Sequence, residues 1–492
     1  MKKTLFIIDR GKIDNAYRLS ILSSLLIKKG YLTKVILNSK FKKIFKIYKR
    51  FGITDFAISF DKSYLFKKPY ILFQTIFYFI YGIFLFSFDR YRFINEYKIK
   101  NILIGDLVYD SSIRYNLGFL KKKINFDFIK ILFLSIFKFL IIFYELKNKL
   151  PNFICLISSV SHATEGSFCL RISTEMRKKV IFHNYGSLRI YKPSQIYFAE
   201  RKVSKIELNK FKLKEKKLNQ FLTKRFSGTT TGIFTNPKEV KKVFFKKKKF
   251  KNRDEIFKIL KTQNYSKIVL FSASAFSDAP HGGGTGNRLI FEDYFSLFED
   301  TLKFIKNKKN SPILWIFKEH PSLKSYKEDG IFRETIKKYS SKNIVMFPEE
   351  YDLSTLFPHL YTVITARGTM ALEFATFGKK PLICGDTTFS RLGFTLEPKD
   401  KNEYFKIIDD FKYMNKLNQK QILNAKKTLY IVEKLINQSF INSKIFFNDK
   451  IKALNINENK LEKKLRKVSL KNIFNDNYFK TVEKFIKKNL GD

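Results

Sequence analysis

The stretch Tyr361-Thr-Val-Ile-Thr-Ala-Arg-Gly-Thr-Met-Ala-Leu-Glu-Phe-Ala-Thr-Phe-Gly-Lys-Lys-Pro-Leu-Ile-Cys384 reads as strand, tight loop, helix, glycine stop and strand. Tyr361 to Thr365 is an apolar, β-branched run, and Arg367-Gly368 makes the loop. Thr369 to Phe377 has helical spacing, Gly378 caps it, and Pro381 to Cys384 returns as a strand. Two strands joined through a helix lie parallel, so this is a βαβ unit of a doubly wound α/β sheet.

Working outward, the same grammar recurs. A helix opens near Asn252-Arg-Asp-Glu255 and a strand runs from Lys267 to Phe271. A Ser/Gly-rich loop follows, then a helix from Phe291 to Lys306 and strands at Ile313–Phe317 and Asn343–Phe347. In the first half a strand Thr4–Ile8 leads to a helix from Asn15 to Lys29, stopped by Gly30, and a strand Leu32–Leu37. Further strands are expected at Asn101–Ile104, Phe153–Ser158 and Val180–His183.

At 492 residues the chain calls for more than one core. The basic run between Lys238 and Asn252 marks the expected junction. The domains predicted are 1–245, 246–435, and a charged helical tail 436–492 expected to pack across the junction or to fray.

The formal charge of +51 comes with abundant Lys and Phe and with one Trp. A/T-rich codons produce that profile without selection for a polyanion, and no stacking platform or recognised binding fold accompanies the basic run, so nucleic acid is not an expected partner. The basic surface still attracts phosphorylated substrates and anionic lipid. Cys155, Cys169 and Cys384 form no CxxC pair, which suits a reducing compartment. The apolar start stops at Asp9-Arg10, too short for a signal sequence, so a cytoplasmic protein is expected.

Two aromatic-rich stretches, Ile71–Phe88 and Phe126–Tyr144, leave three readings open: packed helices, an in-plane contact with the inner membrane surface, or a span. Lys67-Lys68 and Lys121-Lys122-Lys123 flank them and suit either lipid headgroups or plain solvation.

Chemistry concentrates at strand ends, where α/β sheets bind ligands. Four of the five histidines, His162, His183, His281 and His320, follow apolar strands; His359 does not. In Thr365-Ala-Arg-Gly-Thr369 a short glycine loop opens a helix, with Thr365 and Thr369 as hydroxyl donors and Arg367 as a charged fork. Glu373, one turn on, is placed to accept from a ribose. Lys318-Glu-His-Pro321 ends a strand of the same expected sheet, and there His320 can serve a departing phosphate as acid or as donor. Ser272 and His281 join this donor group from the preceding strand and its loop. The Gly-rich segment Asp278–Gly286 lacks the Lys-Ser/Thr of a P-loop. No Asp-x-Asp pair ends a strand and no His/Cys cluster has metal-ligand spacing, so no metal is expected.

Lys318-x-His320-Pro321, then Thr365-x-x-Gly368-Thr369-x-x-x-Glu373 and Gly378-Lys379-x-Pro381, resembles bacterial GT-B glycosyltransferases of surface and capsular polysaccharide assembly. Among these are HP-motif enzymes using CMP-activated acidic sugars, including sialyl- and Kdo-transferases. Ile104–Asp110 with Arg114, Ser161-His162 with Arg171, and Phe276–His281 resemble blocks of a capsule branch, so the likeness spans most of residues 1–400. It implies two Rossmann-like domains facing a cleft, with extra apolar helices in the first and a helical tail. It also implies a nucleotide-sugar donor in the C-terminal domain and a glycan or lipid-linked glycan acceptor in the N-terminal one. His320, Thr365 and Thr369 correspond to groups that contact the donor phosphate. The family's acidic-Gly base is matched only by Glu165-Gly166, with Thr164 at the first acidic position, so Asp106 and Asp110 stand beside Glu165 as candidate bases. Arg114, His162 and Arg171 are acceptor-side candidates. The same fold also hosts sugar-phosphate or glycerol-phosphate transferases and epimerases, and a basic membrane-associated scaffold is the non-enzyme alternative.

Overall fold

The computed structural model describes residues 3–9, 13–37, 42–58, 69–115, 124–149, 152–158, 160–183, 188–191, 202–226, 247–282, 289–308, 311–411, 414, 416–436, 463 and 466–490. Lys67, Lys68, Lys121–Lys123, Lys241, Lys242, Lys246 and Gly283–Gly286 lie outside them. The chain forms two units, Met1–Ala199 with Gln438–Asp492, and Glu200–Asn437.

In unit 1 the strands are β1 (Thr4–Ile8), β2 (Leu32–Leu37), β3 (Phe56–Ile58), β4 (Lys98–Ile99), β5 (Ile102–Leu103), β6 (Phe153–Ile157), β7 (Val180–His183) and β8 (Leu188–Tyr191). Six of them form one sheet in the order β3-β2-β1-β6-β7-β8, parallel except for β8. Leaving out the β4–β5 hairpin this is the Rossmann order, with its reversal between β1 and β6. Both strands are buried along their length, as a sheet covered on two faces requires.

The strand expected at Asn101–Ile104 is instead one arm of the β4–β5 hairpin. Lys100 and Asn101 both take positive φ, 51° and 66°, which turns the chain straight back rather than sending it into the sheet.

Helix Ile13–Lys28 packs Ala16, Tyr17, Leu22 and Leu26 onto β1, β2 and β6. The tail joins the same core: Ile473, Tyr478, Phe479, Val482 and Ile486 are buried with these residues. The tail therefore docks on the N-terminal unit, driven by an amphipathic helix Asn477–Leu490 whose apolar residues recur every three to four positions.

Unit 2 carries β9 (Lys267–Ser272), β10 (Ile313–Lys318), β11 (Ile344–Met346), β12 (Thr362–Thr365) and β13 (Leu382–Ile383). Their order is β11-β10-β9-β12-β13, all parallel, with the reversal between β9 and β12. Each unit is thus a Rossmann-like doubly wound domain.

The division expected at residue 245 falls near 200. Residues 205–210 and 215–226 are helices whose Leu208, Phe221 and Leu222 bury against Ala371, Leu372 and Ala375 of unit 2. Short helices held by tertiary burial carry no compositional mark, whereas the lysine run beyond them in the sequence does.

Candidate active site

The carboxyl edge of the unit 2 sheet lines up its polar residues by register. Lys318 pairs with Ser272, and Ser272 with Thr365, so the last residues of β10, β9 and β12 stand side by side at the point where the strand order reverses. Neighbouring parallel strands are about 4.8 Å apart, and residues in register share a face, so the ammonium and two hydroxyls belong to one short row.

Lys318 donates to the Glu319 carbonyl at 3.0 Å. Burial, and then the nearby Lys247, pulls its ammonium down to about 8, against the pull of Glu373, Glu349 and Glu319. His320 is pushed down to about 4 by burial and then by Lys318. Its ring is therefore neutral near pH 7. Nδ1 accepts the Ser322 backbone N–H at 3.2 Å, which leaves the ring proton on Nε2. Pro321 turns the chain here, and Glu319 is held away by Arg333 at 2.7 Å. Alternation at the strand end thus separates Lys318 and His320 from the intervening carboxylate.

The loop after β12 is shaped by one contact. Gly368 donates its N–H to Thr365 Oγ1 at 3.2 Å. A Cβ on Gly368 would sit 2.9 Å from that oxygen, so the close approach requires glycine. Thr365 is buried and Thr369 exposed. Arg367 donates to the Pro280 carbonyl at 2.5 Å, tying this loop to the one after β9. The latter is anchored twice more. His281 is buried and its Nε2 lies 2.7 Å from the Glu292 carbonyl, so it donates there. The buried Glu328 accepts the N–H groups of Phe276 at 2.7 Å and Ser277 at 2.9 Å. His281 and Arg367 therefore each hold loop backbone through one N–H, a task the sequence reading did not assign to them.

Glu373 also differs from expectation. Its carboxylate takes the guanidinium of Arg225, which holds Glu433 at 2.6 Å as well. Burial pushes the Glu373 carboxyl up, and Arg225 opposes that shift. A cation buried on helix Glu215–Phe226 needs these two counter-charges, which takes Glu373 from the ribose role.

In unit 1, Asp106 and Arg171 are brought together and spent on each other. The guanidinium bonds Asp106 Oδ1 and Oδ2 at 2.6 Å each and the Leu103 carbonyl at 2.7 Å. The side chains are 0% and 2% exposed. Neither the base role of Asp106 nor the acceptor role of Arg171 survives this fork-to-fork pairing. Asp110 and Arg114 lie four and eight residues along the same helix, Gly105–Tyr115, with Asp110 buried and Arg114 half-buried. Beside them the Ala163 N–H donates to Ser111 at 2.7 Å. His162 takes a φ of 61° and lies 3.2 Å from the Ser161 hydroxyl. Thr164 caps helix Glu165–Glu175, and Glu165 pairs with Lys138 at 3.1 Å while its side chain stays 20% exposed.

Three residues escaped the sequence reading. Lys247 stood inside the supposed linker, and Glu328 in an unmarked helix approach. Asp9, at the end of β1, is buried and accepts the Tyr48 hydroxyl at 2.8 Å. Only Asp9 had a usable signal: a carboxylate directly after the first strand of a doubly wound sheet.

A capsule polysaccharide biosynthesis protein family model matches residues 193–440, half of the chain and the whole of unit 2. No curated protein matches significantly. Among solved structures, a β-Kdo 2,4 transferase, KpsC of Thermosulfurimonas dismutans, is 14% identical over 56% of this chain and 80% of that one, with a TM-score of 0.34. The UDP-GlcNAc 2-epimerase of Neisseria meningitidis is 12% identical over 88% of this chain and 99% of its own, with a TM-score of 0.26. Likenesses this distant carry no statement about chemistry. The family match stands by itself, on the half of the chain that holds Lys318, His320, Thr365 and Gly368: the chain belongs to the capsule polysaccharide biosynthesis protein family.

Proposed function

We propose that the chain is a glycosyltransferase that moves a sugar from a nucleotide-activated donor, a CMP-linked acidic sugar first among them, to a hydroxyl of a surface or capsular glycan. The observation that carries this is the row Lys318–Ser272–Thr365 with the Nε2–H of His320 at the switch point of unit 2. A departing nucleotide phosphate gains negative charge as the anomeric bond breaks, and preorganised donors in a desolvated place stabilise that charge. Lys318 supplies the charge and His320 a neutral N–H; at about 4 its ring does not hold a second proton to give away.

The transfer is written as an inverting displacement. A base takes the acceptor hydroxyl proton, the oxygen bonds the anomeric carbon, and the carbon–oxygen bond to phosphate breaks with its electron pair leaving on the nucleotide. With Asp106 committed to Arg171, Glu165 is the carboxylate to test first, since it keeps some exposure. Lys318 and His320 fill the place a cation would otherwise take, so activity is expected to persist in EDTA. The donor is a cytoplasmic metabolite class, which puts the reaction on the cytoplasmic side.

The test is a panel of CMP-, CDP-, UDP- and GDP-sugars, following nucleotide release by wild type, His320→Ala and Glu165→Gln. One donor should turn over, with His320→Ala slowed on the order of 100-fold or more. If none binds or turns over, the transferase reading fails. An active donor on which His320→Ala equals wild type removes the phosphate role from His320.

A further inference from the structure

Helix Pro69–Phe88 carries no Asp, Glu, Lys, Arg or His in twenty residues, yet most of its residues are not buried. Its inner face is spent on unit 1. Ile71, Thr75, Gly82, Leu85 and Phe86 are buried there, the Tyr97 hydroxyl donates to the Tyr78 carbonyl at 2.6 Å, and that of Tyr144 to Gln74 at 3.0 Å. A Cβ on Gly82 would stand 3.0 Å from the Tyr97 ring, so the helix is seated closely. The outer face shows Phe73, Phe77, Ile80, Phe84 and Phe88 at 79, 68, 63, 58 and 76% exposure. Their spacing of four, three, four and four places them in one stripe. Phe126, on the packed neighbour Phe126–Lys147, is 77% exposed. At roughly 200 Å² per ring the five phenylalanines alone expose on the order of 700 Å², against about 300–600 Å² for the whole largest patch of an ordinary monomer.

The charge beside it argues for what covers it. In the sequence Lys67-Lys68 directly precede the helix, and the described residues 89–100 and 124–130 near its end hold five basic residues against three acidic ones. Of these, Arg92, Lys98, Lys100 and Lys130 are exposed, and the three acidic ones are Asp89, Glu96 and Asp127, with Glu96 paired to Arg92 at 3.0 Å. We propose that this face docks on a bilayer surface rich in anionic phospholipid. The helix lies in the membrane plane, its rings enter about 5–10 Å below the headgroups, and the basic flanks meet the lipid phosphates. A span would have to strip the inner face from unit 1. A second copy is disfavoured by charge, since an isologous contact would set one basic rim against another. The inference does not rest on the transferase reading, although it would bring unit 1 to where lipid-linked glycans lie.

Flotation of the full chain with phosphatidylglycerol/phosphatidylcholine vesicles, and with phosphatidylcholine alone, at low and high salt tests it. The comparison is Phe73→Ser/Phe77→Ser/Phe84→Ser, whose exposed side chains leave the core intact. Wild type is expected to float with the anionic vesicles, weakly with the neutral ones, and to stay partly bound at high salt. The triple variant should lose on the order of ten-fold or more in vesicle affinity with an unchanged circular dichroism melt. Wild type that stays unbound at low salt overturns the proposal, as does a triple variant that floats equally well. A wild-type dimer that the substitutions split, with no vesicle binding, assigns the face to a second copy and also sinks it.

Discussion

Asp106→Asn separates a structural carboxylate from a catalytic one. The substitution keeps the side chain's shape but removes the charge that neutralises Arg171, whose guanidinium is 2% exposed and makes three bonds of 2.6, 2.6 and 2.7 Å. Breaking a buried ion pair from one side costs about 3–5 kcal/mol, because the remaining charge stays desolvated without its partner. At about 2–4 °C per kcal/mol for a unit of this size, the melting midpoint of unit 1 should fall by on the order of 10 °C. Asp106→Leu/Arg171→Met removes both charges and should recover most of the loss, since an apolar pair of similar volume avoids the desolvation cost. The two units can be followed separately. The one tryptophan, Trp315, is buried in β10, so its fluorescence reports unit 2 while circular dichroism reports both. The expected result is an early circular-dichroism transition that the tryptophan signal does not share. If Asp106→Asn melts with wild type and yet loses all turnover, the pair is not structural and Asp106 is the base after all.

Lys318 gives a pH signature. With its ammonium at about 8, the charged fraction falls about ten-fold between pH 7 and pH 9, so nucleotide affinity measured by calorimetry should fall as pH rises through 8. Lys318→Arg should stay flat to pH 9.5, and a wild-type profile just as flat would show that the ammonium does not meet phosphate. Arg225→Met should cost about 3–5 kcal/mol near neutral pH by stranding Glu373 and Glu433. A carboxyl whose folded pKa is raised costs stability while ionised, and that cost vanishes as pH falls through the folded value. Urea midpoints of the variant should therefore approach wild type toward pH 5, and a deficit unchanged by acid would contradict the assignment.

The sheets were legible because their signal is local. β1, β6, β7, β9, β10 and β12 are runs of mostly apolar, buried residues bounded by turn chemistry, and reading them needs no tertiary information. β3, three residues at a sheet edge, and the half-exposed antiparallel β8 left no such run. The hairpin at Lys98–Leu103 escaped because Lys100 and Asn101 lack the glycine that usually marks two successive positive φ values. At the site, Lys318, His320, Thr365 and Gly368 were readable from their strand-end positions. The structural partners of Asp106, Arg367, His281 and Glu373 come from 65, 87, 11 and 148 residues away, and a carboxylate bound by Arg171 reads in sequence just like one waiting for a substrate.

Composition misleads for a related reason. A charge of +51 suggests that any phosphate would find a ready cation, but an exposed lysine works in high dielectric and is screened by salt within about 8 Å. Lys318 and His320 are the opposite case. Burial first, then Lys247 acting on Lys318 and Lys318 acting on His320, pulls both toward neutrality, and a desolvated donor interacts more strongly with a developing charge. A bound phosphate supplies the counter-charge that burial withholds and so favours the protonated form of Lys318. On the proposed function, the phosphate is therefore met by the groups whose charge is least secure and not by the surplus on the surface.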